Sequence, residues 1–176
     1  MKKLIAFAGS NSRNSINKKL ATYAGQMVED VQLEVLDLND YPLPIYGIDL
    51  ENEIGIPENA QHFLDKIKSA DGIIVSLAEH NGAYATVFKN IFDWMSRLDG
   101  KLWSNKPMLL MSAAPGGRGG KSVLEIAEGK FPRMDAQLIA VFSLPFFNDN
   151  FKDGQIIDAD FNAELKEAIS TFQQNI

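Results

Sequence analysis

Three short stretches gather the side chains able to bind something. The first, GSNSRNSIN (Gly9–Asn17), carries hydroxyls on Ser10, Ser12 and Ser15, a charge on Arg13 and an amide on Asn17, just ahead of a helical run. Backbone amides at a helix start point outward at the positive end of its dipole, so such a loop can hold a phosphate. Gly9 permits the tight turn, and Ser15 is a good N-cap for a helix starting at Ile16. Serine and asparagine favour turns in any case. The loop alone therefore fits an anion site and a solvated N-cap equally.

The second stretch, EHNGAY (Glu79–Tyr84), has a turn at Asn81–Gly82 that exposes amides, with Tyr84 as an aromatic surface. Taken by themselves, Glu79 reads as a loop carboxylate and His80 as a solvated side chain. The third, APGGRGG (Ala114–Gly120), lacks side chains at Gly116, Gly117 and Gly119, which lets a flat ring approach the backbone. PGGRGGKS, from Pro115 to Ser122, is one residue short of the phosphate-binding pattern G-x-x-x-x-G-K-[ST]. Pro115 stands where the first glycine belongs and has no amide to donate. A nucleoside triphosphatase also places that loop after its first strand, so this reading ranks last.

The elements between these stretches must position them. Leu4–Ala8 is continuously apolar, as strands covered on both faces are, and Gly72–Ala78 and Pro107–Ala113 read as two more buried strands. Val31–Leu36 alternates, with Val31, Leu33 and Val35 on one face, which predicts an edge strand. Gln137–Phe146 is expected to be the last strand, and Asp40–Pro57 a long loop. Apolar residues recur at helical spacing through Ile16–Val28, Ala60–Ile67, Tyr84–Leu98, Val123–Phe131 and Phe161–Phe172. Phe92, Trp94 and Met95 are expected in a core or an interface.

Strand and helix thus alternate five times without repeat or linker. This predicts a single domain over 1–176: an α/β, three-layer, doubly wound fold with a five-stranded parallel sheet in the order 2-1-3-4-5, flavodoxin-like. Ligands in such sheets sit beyond the carboxyl ends of the strands. The three polar stretches follow strands one, three and four, neighbours in that order, and would form one rim.

Composition narrows the chemistry. A chain of 176 residues with 45% hydrophobic and 23% charged residues is ordinary for a globular protein. A net charge of −6 argues against nucleic acid as a partner. There is no cysteine, which removes thiolate catalysis and cysteine-ligated metals and fits a cytoplasmic protein. His62 and His80 are too far apart for a local metal motif. The apolar run after Lys2 and Lys3 is too short for a secretory leader, and no run approaches a membrane span.

Taken together, GSNSRNSINKKL (Gly9–Leu20), EHNGAYATVFKNIFDW (Glu79–Trp94) and SAAPGGRGG (Ser112–Gly120) resemble the NADPH-dependent FMN reductase family, which includes quinone, chromate and azo reductases. The resemblance covers almost the whole chain. It implies a flavodoxin-like fold, noncovalent FMN, NADPH or NADH as co-substrate, a small-molecule electron acceptor, and a homodimer or homotetramer with the flavin near a subunit interface. It maps Ser10, Ser12, Arg13, Ser15 and Asn17 to the FMN phosphate. Glu79, His80, Asn81, Gly82 and Tyr84 map to the edge of the isoalloxazine ring. Pro115, Gly116, Gly117 and Gly119 map close to the ring and the nicotinamide approach.

The chain departs from the family pattern in places. Ser12 occupies the usual arginine position, with Arg13 following it. Ala78 and Ala85 replace prolines, and His80 replaces a tyrosine. Two further readings share the rim: a flavodoxin-type electron carrier, and a flavin-free binding protein on the same fold. The glycine-rich third stretch favours the reductase over the carrier.

Overall fold

The computed structural model describes residues 1–176. Five strands, β1 (Lys2–Gly9), β2 (Val31–Leu36), β3 (Gly72–Leu77), β6 (Lys106–Ala113) and β7 (Ala136–Leu144), form one sheet in the order β2-β1-β3-β6-β7. Every pairing in it is parallel. Counting only these strands, this is the order 2-1-3-4-5 expected from the sequence. Two short antiparallel hairpins, β4 (Glu79–His80) with β5 (Ala83–Tyr84) and β8 (Phe151–Lys152) with β9 (Gln155–Ile156), project from it.

Alternation along the central strands sends successive side chains to opposite faces. Ile5 and Phe7 of β1 join one core, built with α3 (Glu58–Ser69), α4 (Thr86–Leu98) and α5 (Lys121–Lys130). Leu4 and Ala6 join the other, built with α1 (Ile16–Gln26) and α7 (Ala159–Gln173). Both faces are covered, which is why β1, β3 and β6 are apolar through their middles. β2 lies at the edge as its alternation predicts: Val31 and Leu33 are half-buried, whereas Val35 is exposed.

Two segments differ from the sequence reading. Within the expected loop at 40–57, the helix α2 (Ile48–Ile54) forms with no buried residue. The chain here is held to α4 by Asn90, which accepts from the Tyr46 amide at 2.8 Å and donates to the Pro44 carbonyl at 3.0 Å. Trp94 Nε1 donates to the same carbonyl at 2.8 Å. The last strand stops at Leu144 rather than Phe146, because Pro145 and a left-handed Phe146 turn the chain into α6 (Phe147–Asn150). Its register also slips beside Met108 and Leu109, leaving Ile139 unpaired opposite them.

Candidate functional site

β1, β3 and β6 are adjacent, so their carboxyl ends deliver the three polar stretches side by side. The first loop is organised by its own hydroxyls. Ser10 Oγ accepts from the Ser12 amide at 3.1 Å, and Ser12 Oγ from the Asn14 amide at 3.3 Å. Ser15 is nearly buried, and its Oγ caps α1 by accepting from the Lys18 amide at 3.1 Å. The amides of Ile16 and Asn17, at the first turn of α1, have no protein acceptor. Arg13 is exposed and makes no ion pair. Lys18 is committed to Asp37 at 2.5 Å. Burial pushes the Asp37 carboxyl up, but hydrogen bonds from Lys18 and Asn39 outweigh it, and the net shift is downward.

The Asn17 side chain points the other way. Its Oδ1 accepts from Ser76 Oγ at 2.7 Å and from the Ala113 amide at 2.8 Å, while Nδ2 donates to the Ala113 carbonyl at 3.1 Å. One buried amide therefore ties the start of α1 to the ends of β3 and β6. The geometry gives it a bracing task, unlike the phosphate contact that the resemblance implies.

In the second stretch Asn81 (φ 52°) and Gly82 (φ 76°) both take left-handed backbone, as a two-residue type I′ turn demands. His80, Asn81 and Gly82 are exposed at its tip. Glu79 does more than a solvated carboxylate: its Oε2 accepts from the Val123 amide at 3.0 Å. It thereby caps α5, whose own N-cap residue, Gly120, has no side chain to do so. Tyr84 packs its ring against Phe88 at 5.2 Å and parallel to Phe131 at 6.2 Å. Its hydroxyl is sealed from solvent without a partner, and burial pushes the phenol up to about 12.

The third loop divides in two. Pro115, Gly116 and Gly117 are exposed, and a side chain at Gly116 would meet nothing within 4 Å. Gly119 and Gly120 are buried, and a Cβ at Gly120 would lie 2.8 Å from Ser112 Oγ. The Gly119 carbonyl accepts from Ser112 Oγ at 2.5 Å and from Ser143 Oγ at 3.0 Å. Close packing, then, requires the later glycines, and approach is fully open only at Gly116, since a Cβ at Gly117 would meet the Phe146 ring at 2.7 Å. Arg118 reaches back to Ser122 Oγ at 2.9 Å. Two clefts open beside these loops. One of about 230 Å³ is lined by Asn11, Asn39, Tyr41 and Asn90, and one of about 250 Å³ by Tyr46, Tyr84, Thr86 and Lys89.

Sequence reasoning passed over Ser76, Ser112 and Ser143, which hold the rim from below. Ser76 and Ser112 carried a signal: each is a lone hydroxyl near the end of an otherwise apolar strand. What the rim presents is a set of donors: unpaired amides and hydroxyls on the first loop, a turn tip on the second, bare backbone on the third. That set fits FMN, with an anion at the start of α1 and a flat ring along the exposed glycines.

Comparison with known proteins agrees. Residues 2–149 match the family model described as NADPH-dependent FMN reductase. The chain is 28% identical over 182 residues to a probable NADPH:quinone oxidoreductase 1 of Oryza sativa subsp. japonica, covering 97% of this chain and 90% of the relative. It is 33% identical over 119 residues to a 2-hydroxy-1,4-benzoquinone reductase of a Burkholderia species, covering 66% of this chain and 63% of the relative. Among solved structures, the flavoenzyme NAD(P)H:(acceptor) oxidoreductase FerB of Paracoccus denitrificans superposes with a TM-score of 0.74 at 21% identity, covering 99% of each chain. With its fold, its rim of three loops and a match over most of its length, the chain belongs to the NADPH-dependent FMN reductase family.

Proposed function

We propose that residues 1–176 act as one FMN-binding domain, an NAD(P)H-dependent oxidoreductase that delivers electrons to quinones and other small acceptors. The observation that carries this reading is the adjacency of three donor-rich loops at the carboxyl ends of β1, β3 and β6. Ser10, Ser12, Ser15 and the free amides of Ile16 and Asn17 hold the FMN phosphate, with Arg13 adding charge from solvent. His80, Asn81 and Gly82 lie against the ring edge, braced by Glu79 below. Pro115 shapes the third loop, and Gly116 and Gly117 turn backbone amides toward the electron-rich side of the ring, as donors placed before charge develops should be. Gly119 and Tyr84 support these contacts from within. Bound FMN supplies hydride acceptance and electron release; the chain contributes position and hydrogen-bond donors.

A homodimer or homotetramer is part of the same reading. Ile45, which lines the second cleft, and Ile48 and Ile54 on α2 stand exposed along one segment of chain, apolar surface suited to cover by another copy. A cytoplasmic location is consistent with a chain free of cysteine, and no helix is long and apolar enough to cross a membrane.

The test is an absorption titration with FMN, followed by anaerobic NADPH and, in parallel, NADH. Bands that shift on binding and bleach at a catalytic rate support the reductase. Binding without bleaching by either nucleotide would give the electron carrier instead, and no binding would leave the likeness at the level of fold.

A further inference from the structure

Seven residues other than glycine adopt positive φ, and six of them are Asp, Asn or Ser: Asp30, Asn81, Ser104, Asn105, Asp135 and Asp153. Short polar side chains tolerate this conformation by bonding locally; bulky ones do not. The seventh is Phe146, at φ 46° and ψ 49°. It is also 50% exposed, so its ring is not held there by burial. The anchoring of α6 is done by its neighbour Phe147, which is buried and stacks on Phe151 with ring centres 4.8 Å apart.

Phe146 leaves β7 next to the glycine-rich loop. Its amide donates to the Gly116 carbonyl at 3.2 Å. Its ring lies so close to Gly117 that a Cβ there would meet the ring at 2.7 Å. The tip of the ring therefore covers Gly117 and sets apolar surface beside the exposed backbone of Gly116. A strained, half-exposed ring at the rim of a site is a place where conformational cost has been retained for a purpose other than folding.

We propose that Phe146 is a specificity-determining residue: seated over Gly117, its half-exposed ring forms a shelf beside the flavin on which a flat aromatic electron acceptor, such as a naphthoquinone, stacks. The proposal rests on the oxidoreductase reading above. It predicts selection by shape: planar acceptors gain from the shelf, and compact inorganic anions do not.

The probes are menadione, a planar naphthoquinone, and ferricyanide, which has no ring to stack. Phe146→Asn removes the ring while keeping a residue suited to left-handed backbone and to the N-cap of α6. Phe146→Tyr keeps the ring. Calorimetric titration of menadione onto the oxidised holoprotein should give binding weakened roughly three- to tenfold in F146N, the span of one aromatic contact, and changed less than about twofold in F146Y. KM for menadione should rise in parallel, while kcat/KM for ferricyanide and FMN affinity stay at wild-type values and Tm stays level or rises as the backbone strain is relieved.

Unchanged menadione binding in F146N would overturn the shelf. So would an equal fall with both acceptors, or dissociation of an oligomer on sedimentation, which would make Phe146 a contact between copies. Failure of the wild-type chain to take up FMN would instead refute the oxidoreductase reading, and the FMN titration reports that first. The same menadione titration on the chain without FMN still reads the shelf, with loss of binding in F146N expected and no difference from wild type refuting it.

Discussion

Replacing Asn17 by alanine tests the bracing of the rim most directly. The substitution removes three hydrogen bonds at once and leaves the Ala113 amide, the Ala113 carbonyl and Ser76 Oγ behind. Asn17, Ser76 and Ala113 are all buried, so water does not replace the lost partner without opening the structure. A buried group left unsatisfied costs about 1–3 kcal/mol. The Ser76 hydroxyl can rotate toward another acceptor, whereas the Ala113 amide is fixed by the sheet. Counting the amide in full and the other two in part gives a loss of about 2–4 kcal/mol. Against a total stability of about 5–15 kcal/mol, that is a large fraction. For a chain of this size it lowers Tm by roughly 4–16 °C. Urea denaturation followed by circular dichroism measures it, with Arg13→Ala as the control, since an exposed unpaired side chain should change stability by less than about 0.5 kcal/mol. FMN affinity should fall as well in Asn17→Ala, because the first loop loses its register with the ends of β3 and β6. A loss below about 1 kcal/mol would refute the bracing role.

Other substitutions separate the remaining parts of the site. Ser15→Asp sets a carboxylate beside the start of α1 and should weaken FMN binding at least tenfold by fluorescence titration, while aspartate still caps the helix; retained affinity would remove the first loop from the phosphate site. Glu79→Ala uncaps α5 and should cost about 1 kcal/mol in chemical denaturation, and an unchanged midpoint would mean the bond to Val123 contributes nothing. Tyr84→Phe deletes a buried hydroxyl without a partner, so stability should stay level or rise by about 1 kcal/mol. In the wild type the neutral phenol is favoured by the fold, so its contribution is complete below the ordinary value of 10.0 and is lost as pH climbs toward about 12. Denaturation across that range should show the alkaline fall in the wild type and a shallower one in the Phe variant; identical slopes would contradict the burial of Tyr84.

The parts of the fold that could be read from sequence are those with an unambiguous environment. Leu4–Ala8 is apolar throughout because helices cover both faces of β1, and Val31–Leu36 alternates because β2 lies at the edge. The helix α2 gave no such sign, since Ile48 and Ile54 remain exposed and no stripe faces a core. The end of β7 was overrun because Phe146 extends the apolar run although its backbone has already turned. At the site, the positions of the three loops were legible from their composition. The task of Asn17 was not, since its partners lie 59 and 96 residues away and no local spacing encodes them. The bond of Glu79 to Val123, 44 residues on, was hidden for the same reason.

The carbonyl of Gly119 is held by two hydroxyls, one from β6 and one from β7. The first loop has no such duplicate: its tie to β3 and β6 passes through the single side chain of Asn17. The two sides of the rim therefore differ in redundancy. Loss of either serine leaves Gly119 with a donor, so the seat of the third loop survives the loss of one of them. The first loop is held besides by Asn39, which donates to the Asn11 carbonyl at 3.2 Å, but its hydrogen-bonded link to β3 and β6 has a single point of failure. Substitution of Ser112 or Ser143, one at a time, should accordingly be better tolerated than substitution of Asn17.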